Sequence, residues 1–409
     1  MFRPLQTVTA TSQGSSDTSF TIVPRRIGYS FKAHEFHVRF KSQISEIKKI
    51  KSKQPLLERV NDVFVLGAGC IGQGLTASLL KSNIANRVFL VGKAEHVSKI
   101  QKTGINLLGV MERNFIPDDH FVLSDKINND LLQKYKIAPK PIVFSATKAS
   151  DAASSLRPFQ QTLAKLSPTI ICLQNGLGVE QEIEKVFPPF HAKVLKGHVF
   201  GAIHKKMESI FAYKGRIIVE HHNDDCSKKL KTIFGPQDIS IFNLEISPNI
   251  LQAIYPKIAV NCVCNPLTVI LNQNLGFIRN QYEPLIRMIC SEIFVVALSQ
   301  GVDLSSSENL AEIVLDTMSK FSSHYSSMYL DHQSGRVSEI EYINGAILRI
   351  AHKKKIHVPL NQLLTNSMKE IEKRRMVCNS AEEFYQRHAS YLENVKTQLL
   401  AIASPIIVS

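Results

Sequence analysis

The chain has 409 residues, of which 44% are apolar, and a formal net charge of +14. This length and composition suit two packed domains and exclude a disordered chain. Asn, Lys or Pro interrupts each long apolar run before it reaches the length of a bilayer-spanning helix, so no membrane segment is predicted. The basic residues fall in short clusters without interleaved aromatic side chains, which favours solvated helix faces over nucleic acid as a partner.

Seven cysteines, at positions 70, 172, 226, 262, 264, 290 and 378, lack the paired spacing of zinc sites and redox motifs. We therefore expect reduced thiols and no bound metal. Cys262 and Cys264 form an isolated CxC, for which packing is the expected role because a soft-metal site needs more ligands.

Residues 1–60 are predicted to form an extension ahead of the first domain. Residues 1–30 are rich in Ser and Thr and carry three arginines but a single acidic residue, Asp17, as in a weak mitochondrial presequence. A tail without a targeting role fits equally, so the sequence leaves a cytoplasmic and a mitochondrial location open. Residues 31–60 are expected to be helical and basic.

From Asp62 onward, short β-branched runs alternate with helical stretches, which predicts a parallel sheet with crossover helices. The expected strands are Val63–Leu66, Arg87–Val91, Ile142–Ser145 and Thr169–Leu173. Two further runs, Ile210–Tyr213 and Arg216–Glu220, flank a Lys-Gly pair and predict a hairpin. From Ser247 the pattern is helical, with Ser247 as the expected cap and Pro248 in the first turn.

A GxGxxG motif follows the first strand directly and precedes a helix-compatible run. The first glycine permits a tight turn, the second lets the backbone approach a pyrophosphate, and the third lets the helix pack on the strand. This predicts a dinucleotide site at Gly67, Ala68, Gly69, Cys70, Ile71 and Gly72. The expected fold class is α/β, with a Rossmann-type doubly wound sheet over residues 61–245 and an all-helical domain over residues 246–403.

The second strand ends at Gly92-Lys93, where an NAD-preferring site would carry an acidic side chain. A cation there suits a 2′-phosphate, so NADPH/NADP is the predicted cofactor. A solvated lysine is the alternative, and Glu95 complicates the choice. Lys148 and Asn175 each follow a later strand, at the edge where open α/β sheets bind ligands; taken singly, a surface lysine and an Asn-Gly turn are the simpler explanations.

Lys257, Asn261 and Asn265 are spaced four residues apart in an apolar segment and so share one face of a helix. Each side chain is costly to bury without a hydrogen-bonding partner. The segment therefore predicts a site for a small polar ligand.

Two carboxylates, Glu339 and Glu341, follow a Ser326-Ser327-Met segment at a short interval. Because residues two apart on a helix point to different sides, at most one of these carboxylates is expected to face a given cleft. A surface helix is the alternative.

Taken in order, GxGxxG, a strand-end lysine, a Gln-Asn-Gly turn, KxxxNxxxNP, Ser-Ser-Met and EIxYxNG resemble the ketopantoate reductase (2-dehydropantoate 2-reductase) family over residues 62–372. The resemblance implies a helical domain like the C-terminal domain of 6-phosphogluconate dehydrogenase, with NADPH and a 2-oxo acid in the cleft beside it. It implies Lys257 as the catalytic lysine and Glu339 as the glutamate that organises ligand and lysine and contacts the cofactor. The other implied contacts are Lys93 and Lys148 with the cofactor, Asn175 with cofactor and substrate, Asn261, Asn265 and Asn274 with the substrate, and Ser327 with its carboxylate.

The function expected from this resemblance is reduction of ketopantoate to pantoate, in pantothenate and coenzyme A biosynthesis. Hydride addition at the C2 carbonyl leaves charge on its oxygen, which the Lys257 ammonium can stabilise and protonate. Another small 2-oxo acid as substrate and a non-catalytic scaffold that binds mitochondrial RNA remain open, as does the oligomeric state, a homodimer included. Two features depart from the family pattern: Pro256 directly precedes Lys257, and His204–Asp225 lacks the usual glycine-rich continuation.

Overall fold

The computed structural model describes residues 62–403, except 111, 190, 202, 223–224 and 235–240. The expected presequence and basic helix, within residues 1–60, lie outside the described residues. The described strands are Val63–Leu66 (β1), Val88–Val91 (β2), Ile105–Gly109 (β3), Arg113–Phe115 (β4), Phe121–Ser124 (β5), Ile142–Ser145 (β6), Thr169–Cys172 (β7), Lys193–Phe200 (β8), Ile203–Lys206 (β9), Ser209–Ala212 (β10), Gly215–Glu220 (β11) and Phe242–Ser247 (β12).

The main sheet is of the predicted Rossmann type, with the strand order β12-β11-β8-β7-β6-β1-β2-β5. Its neighbours run parallel except for β11 and β8, which are antiparallel. All four residues of β1, β2 and β6 are buried. Strands covered by helices on both faces need apolar side chains in both directions, which explains their continuous apolar runs.

The predicted hairpin is wrong, although both of its strands exist. β10 pairs with β9 and β3 in a separate sheet of order β4-β3-β10-β9, whereas β11 pairs with β8 and β12 in the main sheet. A Cβ on Gly215 would lie 2.4 Å from the Phe200 carbonyl oxygen. The glycine of the Lys-Gly pair therefore permits close pairing with β8 and does not form a hairpin turn.

Helices cover the sheet and continue beyond it. The described helices are Cys70–Ser82 (α1), Ala94–Thr103 (α2), Asn129–Tyr135 (α3), Ala152–Leu156 (α4), Gln160–Ala164 (α5), Val179–Glu184 (α6), Asp225–Phe234 (α7), Ile250–Leu271 (α8), Leu275–Gln281 (α9), Glu283–Ser299 (α10), Ser307–Lys320 (α11), Ser327–Gln333 (α12), Asn344–Lys354 (α13), Pro359–Arg375 (α14), Ala381–Arg387 (α15) and Ala389–Ala403 (α16), with 3-10 turns at Ala149–Asp151, Arg157–Phe159 and Ile340–Tyr342.

The start of the helical region differs from the prediction. Ser247 is the last residue of β12 and does not cap a helix. Asn249 is the cap, because its side chain accepts a hydrogen bond from the Gln252 N–H at 3.2 Å. The division between residues 245 and 246 itself stays a prediction.

The long helix α8 forms the centre of the helical core. By length and composition alone it could cross a membrane, but 72% of its most apolar window is buried inside the protein, as in a core helix. Ile218 of β11 and Leu177, which follows β7, belong to the same apolar cluster. The helical half, which comprises α8 to α16, therefore packs directly on one end of the main sheet.

Candidate active site

The glycine loop lies between β1 and α1 and has the backbone geometry that its motif predicts. Gly67 has a φ of +108°, and a Cβ there would come within 2.7 Å of the Ala146 backbone. A Cβ on Gly72 would lie 1.7 Å from the Gly67 carbonyl oxygen, so this glycine permits the close packing of helix on strand. By contrast, a Cβ on Gly69 would have no described atom within 4 Å.

The start of α1 is open to a ligand. Gly69 is exposed and is the N-cap, and no side chain caps the helix there. The first N–H groups of a helix have no intrahelical acceptors and attract anions such as a pyrophosphate. The open side of Gly69 and these N–H groups fit a dinucleotide. Ala68 is buried, whereas Cys70 and Ile71 are half-buried.

The carboxyl ends of β6 and β7 lie beside this loop and are bonded to each other. Gln174 donates through Nε2 to the Ser145 hydroxyl at 2.8 Å and to its carbonyl at 3.1 Å. Among the described residues, two buried oxygens at this edge, Gln174 Oε1 and Thr147 Oγ1, have no hydrogen-bond partner. Buried polar atoms normally have partners, so this edge is suited to receive a polar ligand.

Lys93 and Lys148 occupy different environments. Lys93 is exposed at the start of α2, after β2, and its predicted contact with a 2′-phosphate stays a prediction. Lys148 Nζ is 2.6 Å from Asp331 Oδ2, and Asp331 also accepts from Arg336 Nε at 2.9 Å. Lys148 thus links the sheet edge to α12 of the helical half, and sequence reasoning missed this acidic partner.

Lys257 reaches from α8 to the end of β8. Its ammonium donates to the Val199 carbonyl and lies 5.4 Å from the centroid of the Phe200 ring. Burial lowers the pKa of Lys257 to about 8, while the negative charge of Glu339 acts in the opposite direction. The pKa of the ammonium is therefore closer to neutral pH than that of an exposed lysine. Pro256 does not end α8, which continues unbroken to Leu271.

Glu339 connects the helical region to the residues that follow β6 and β7. Its Oε1 accepts from the Ala149 N–H at 2.9 Å and its Oε2 from Asn175 Nδ2 at 3.1 Å. Glu339 is buried, whereas Glu341 is exposed and forms ion pairs with Arg349 and Lys369. One carboxylate is thus held at the strand edge and the other is at the surface, although Glu339 precedes a 3-10 turn that contains Glu341, and not the expected helix. The structure also places the predicted Glu339 and Asn175 in contact.

The remaining polar residues of α8 extend the site along the helix. Asn261 Nδ2 is buried and has no partner within the described part of the chain, and Asn265 is buried. Ser326, and not Ser327, is the buried serine of its pair. Its hydroxyl lies 2.6 Å from Thr268 Oγ1 and caps α12 by accepting from the Tyr329 N–H.

Ser327 and Asn274 lie farther out. Ser327 is exposed in the first turn of α12. Asn274 is the cap of α9, and its Oδ1 accepts from the Phe277 N–H at 2.9 Å. The pattern of a polar residue ahead of an apolar helix could have identified this capping role. Their predicted substrate contacts stay predictions.

His198 is a buried residue of the site that sequence reasoning missed. It lies on β8 on the same face as Phe200, and neither ring nitrogen has a partner among the described residues. Burial, with the charges of Lys257 and Lys196, holds its pKa well below the ordinary value. His198 is therefore neutral beside Lys257. The available signal was the alternation of β8, which places His198 on the same strand face as Val194, Lys196 and Phe200.

The cysteines form no disulfide, and six of the seven are buried. In the part of the chain that the structure describes, no group of three or more His, Cys, Asp or Glu residues is arranged to hold a metal ion.

Comparisons with known proteins agree with this geometry. The sequence matches the family described as ketopantoate reductase PanE/ApbA over residues 63–223 and its C-terminal part over residues 249–372. It is 24% identical over 314 residues to the 2-dehydropantoate 2-reductase of Pyrococcus abyssi, covering 75% of this chain and 96% of that protein. It is 30% identical over 246 residues to the 2-dehydropantoate 2-reductase of Escherichia coli O157:H7, covering 56% and 73%.

A solved structure of D-mandelate dehydrogenase with NADH and anilino(oxo)acetate is also similar, with a TM-score of 0.65 and 25% identity over 77% of this chain and 100% of that one. A glycine loop on a Rossmann-type sheet, a half-buried lysine at the end of β8 and a buried glutamate at the strand edge, together with these relatives, place the chain among nicotinamide-dependent oxidoreductases. More specifically, the chain belongs to the ketopantoate reductase family.

Proposed function

We propose that this protein reduces ketopantoate to pantoate with NADPH. The observation that carries the proposal is the placement of the Lys257 ammonium at the end of β8, with Glu339 held at the strand edge by Ala149 and Asn175. Burial lowers the pKa of Lys257 to about 8, and the charge of Glu339 opposes that shift. A half-buried acid whose pKa is lowered toward neutral pH matches the needs of carbonyl reduction. The 2-dehydropantoate 2-reductases among the relatives support the choice of substrate.

The glycine loop would hold the pyrophosphate of NADPH at the start of α1, and Lys93 would neutralise its 2′-phosphate. Asn175 and the orphaned oxygens of Thr147 and Gln174 would orient the ring end of the cofactor at the strand edge. When bound, NADPH supplies the hydride that adds to the C2 carbonyl carbon.

The helical half would hold the 2-oxo acid. Asn261, whose Nδ2 lacks a partner among the described residues, and Asn265 would bind its polar groups, with Asn274 and Ser327 closer to the carboxylate. The Lys257 ammonium would stabilise the developing alkoxide and donate a proton to its oxygen. Glu339 would keep Lys257 charged until that transfer, because its negative charge opposes the desolvation of the ammonium.

A second candidate is a related reductase that uses NADH and a larger 2-oxo acid. The similarity to D-mandelate dehydrogenase in complex with NADH favours it. Steady-state kinetics with ketopantoate and a panel of straight, branched and aromatic 2-oxo acids, each with NADPH and NADH, separates the candidates. The proposal requires the highest kcat/KM for ketopantoate with NADPH. No oxidation of either cofactor with any 2-oxo acid would favour the scaffold alternative.

A further inference from the structure

Asn344 is a fully buried amide that links the two polypeptide segments of the proposed catalytic pair. It is the first residue of α13 and lies five residues after Glu339. Its Nδ2 donates to the Cys262 carbonyl at 2.9 Å and to Asn361 Oδ1 at 3.1 Å. Cys262 lies on α8, five residues after Lys257. One side chain thus connects the segment that carries Glu339 to the helix that carries Lys257.

The Cys262 carbonyl needs an external donor because of a proline. In an α-helix each carbonyl accepts from the N–H four residues later, and position 266 of α8 is Pro266, which has no N–H. The carbonyl is therefore left without its helical partner deep in the core, where an unpaired backbone group is costly. Asn344 supplies the missing donor.

The Nδ2 end of Asn344 is held in place by its second acceptor, whereas Asn344 Oδ1 is buried without a partner among the described residues. Its acceptor Asn361 donates through Nδ2 to Glu292 Oε2 at 2.8 Å. Glu292 also accepts from the N–H groups of Leu360 and Asn361 at 2.8 and 2.9 Å, at the start of α14. A chain of bonds through α10, α14 and α13 therefore fixes where the Asn344 amide meets α8.

We propose that Asn344 is a positioning residue for the reaction proposed above: its bond across the gap left by Pro266 sets the placement of Glu339 relative to Lys257. This inference rests on the proposed function only for its kinetic consequence. Loosening the link lets Glu339 move away from the ammonium, which then faces desolvation with less compensation.

Among the described residues, further charged or ionisable groups near the Phe200 ring and Lys257 lie on the main sheet. His198 and Lys196 belong to β8, and the Arg216 guanidinium of β11 lies 4.8 Å from the centroid of the same Phe200 ring that Lys257 approaches. They are positioned by strand pairing and not by the Asn344 bond. A change at Asn344 should therefore reach Lys257 through Glu339 or through the backbone of α8, to which Asn344 also donates.

The test compares Asn344→Leu with Tyr385→Phe. Tyr385 donates through its hydroxyl to the Val269 carbonyl at 3.0 Å, so the control also removes a side-chain donor to the backbone of α8, but from a segment without Glu339. In Asn344→Leu the pKa of Lys257 should fall, so the basic limb of the kcat–pH profile should move to lower pH. At pH values above the limb, kcat should be about tenfold lower for each unit by which this pKa falls. In Tyr385→Phe the limb should not move. NADPH affinity should be retained in both.

A second variant separates positioning from simple support of the helix. Pro266→Ala restores the N–H that the Cys262 carbonyl lacks, so the double variant Pro266→Ala/Asn344→Leu should regain thermal stability and should fold even if Asn344→Leu alone does not. The basic limb should nevertheless stay displaced, because the link to Glu339 is still missing. A limb at the wild-type position in the double variant would overturn the inference.

NMR titration of reductively 13C-methylated lysines reads the same effect without turnover. The Lys257 signal is assigned by its loss in Lys257→Ala. We expect it to titrate at lower pH in the double variant than in the wild type, and an unchanged midpoint would reject the role of Asn344. A wild-type enzyme without reductase activity would instead reject the proposed function, so the two failures are distinguishable.

Discussion

Replacing Glu339 with Gln tests the carboxylate that connects the sheet edge to Lys257. Both oxygens of Glu339 accept hydrogen bonds, from the Ala149 N–H at 2.9 Å and from Asn175 Nδ2 at 3.1 Å. A glutamine keeps the shape but has one acceptor, so its NH2 group must face one of two donors. Losing one charge-assisted bond should lower the free energy of unfolding by about 1.5–3 kcal/mol.

The same change removes the charge that raises the pKa of Lys257 against desolvation, so this pKa should fall below its present value of about 8. The ammonium is the active form, so activity is present below the pKa and is lost as pH rises through it. The basic limb of kcat against pH should therefore move to lower pH in Glu339→Gln. At pH values above the limb, activity should be up to about tenfold lower for each unit by which the pKa of Lys257 falls.

The assay is kcat for NADPH oxidation with ketopantoate across the pH range in which Lys257 titrates. Glu341→Gln is the matched control, because Glu341 is exposed and pairs with Arg349 and Lys369. Its limb should coincide with that of the wild type. A Glu339→Gln limb that stays in place, or moves to higher pH, would refute the electrostatic argument.

Two further predictions concern the cofactor. Lys93→Glu should raise the Kd for NADPH by about 10- to 100-fold, the value of one charge-assisted bond, while NADH binding changes little; an equal loss for both cofactors would contradict a 2′-phosphate contact. Gly69→Ala adds a methyl group where no described atom lies within 4 Å, so thermal unfolding should be unchanged while NADPH binds more weakly. Gly72→Ala would place its Cβ 1.7 Å from the Gly67 oxygen and should instead destabilise the fold, and similar melting temperatures for these two variants would argue against this assignment of the glycines.

The sheet could be predicted from sequence because its central strands are buried on both faces. β1 and β6 have the predicted bounds, and β2 and β7 differ from the predictions by one residue at one end. The pairing of β10 and β11 could not be predicted, since two apolar runs around a Lys-Gly pair look alike whether they pair with each other or enter different sheets. Pairing partners are decided by tertiary packing, which short-range patterns do not contain.

The site was predictable where backbone spacing determines the geometry. The glycine loop and the polar face of α8 follow from local periodicity. Asp331, His198 and Asn344 were missed because their importance comes from contacts with residues far away in sequence, such as the bond of Asp331 to Lys148. Ser326 replaces Ser327 as the buried member of its pair because the residue that caps a helix turns its side chain back toward the backbone.

The most direct test of the proposed mechanism is NADPH absorbance with purified protein and ketopantoate, measured in parallel for the wild type and Lys257→Ala. The wild type should oxidise NADPH, and the variant should lose at least about 10²-fold in kcat while it still binds NADPH. Undiminished turnover by Lys257→Ala would contradict Lys257 as the proton donor.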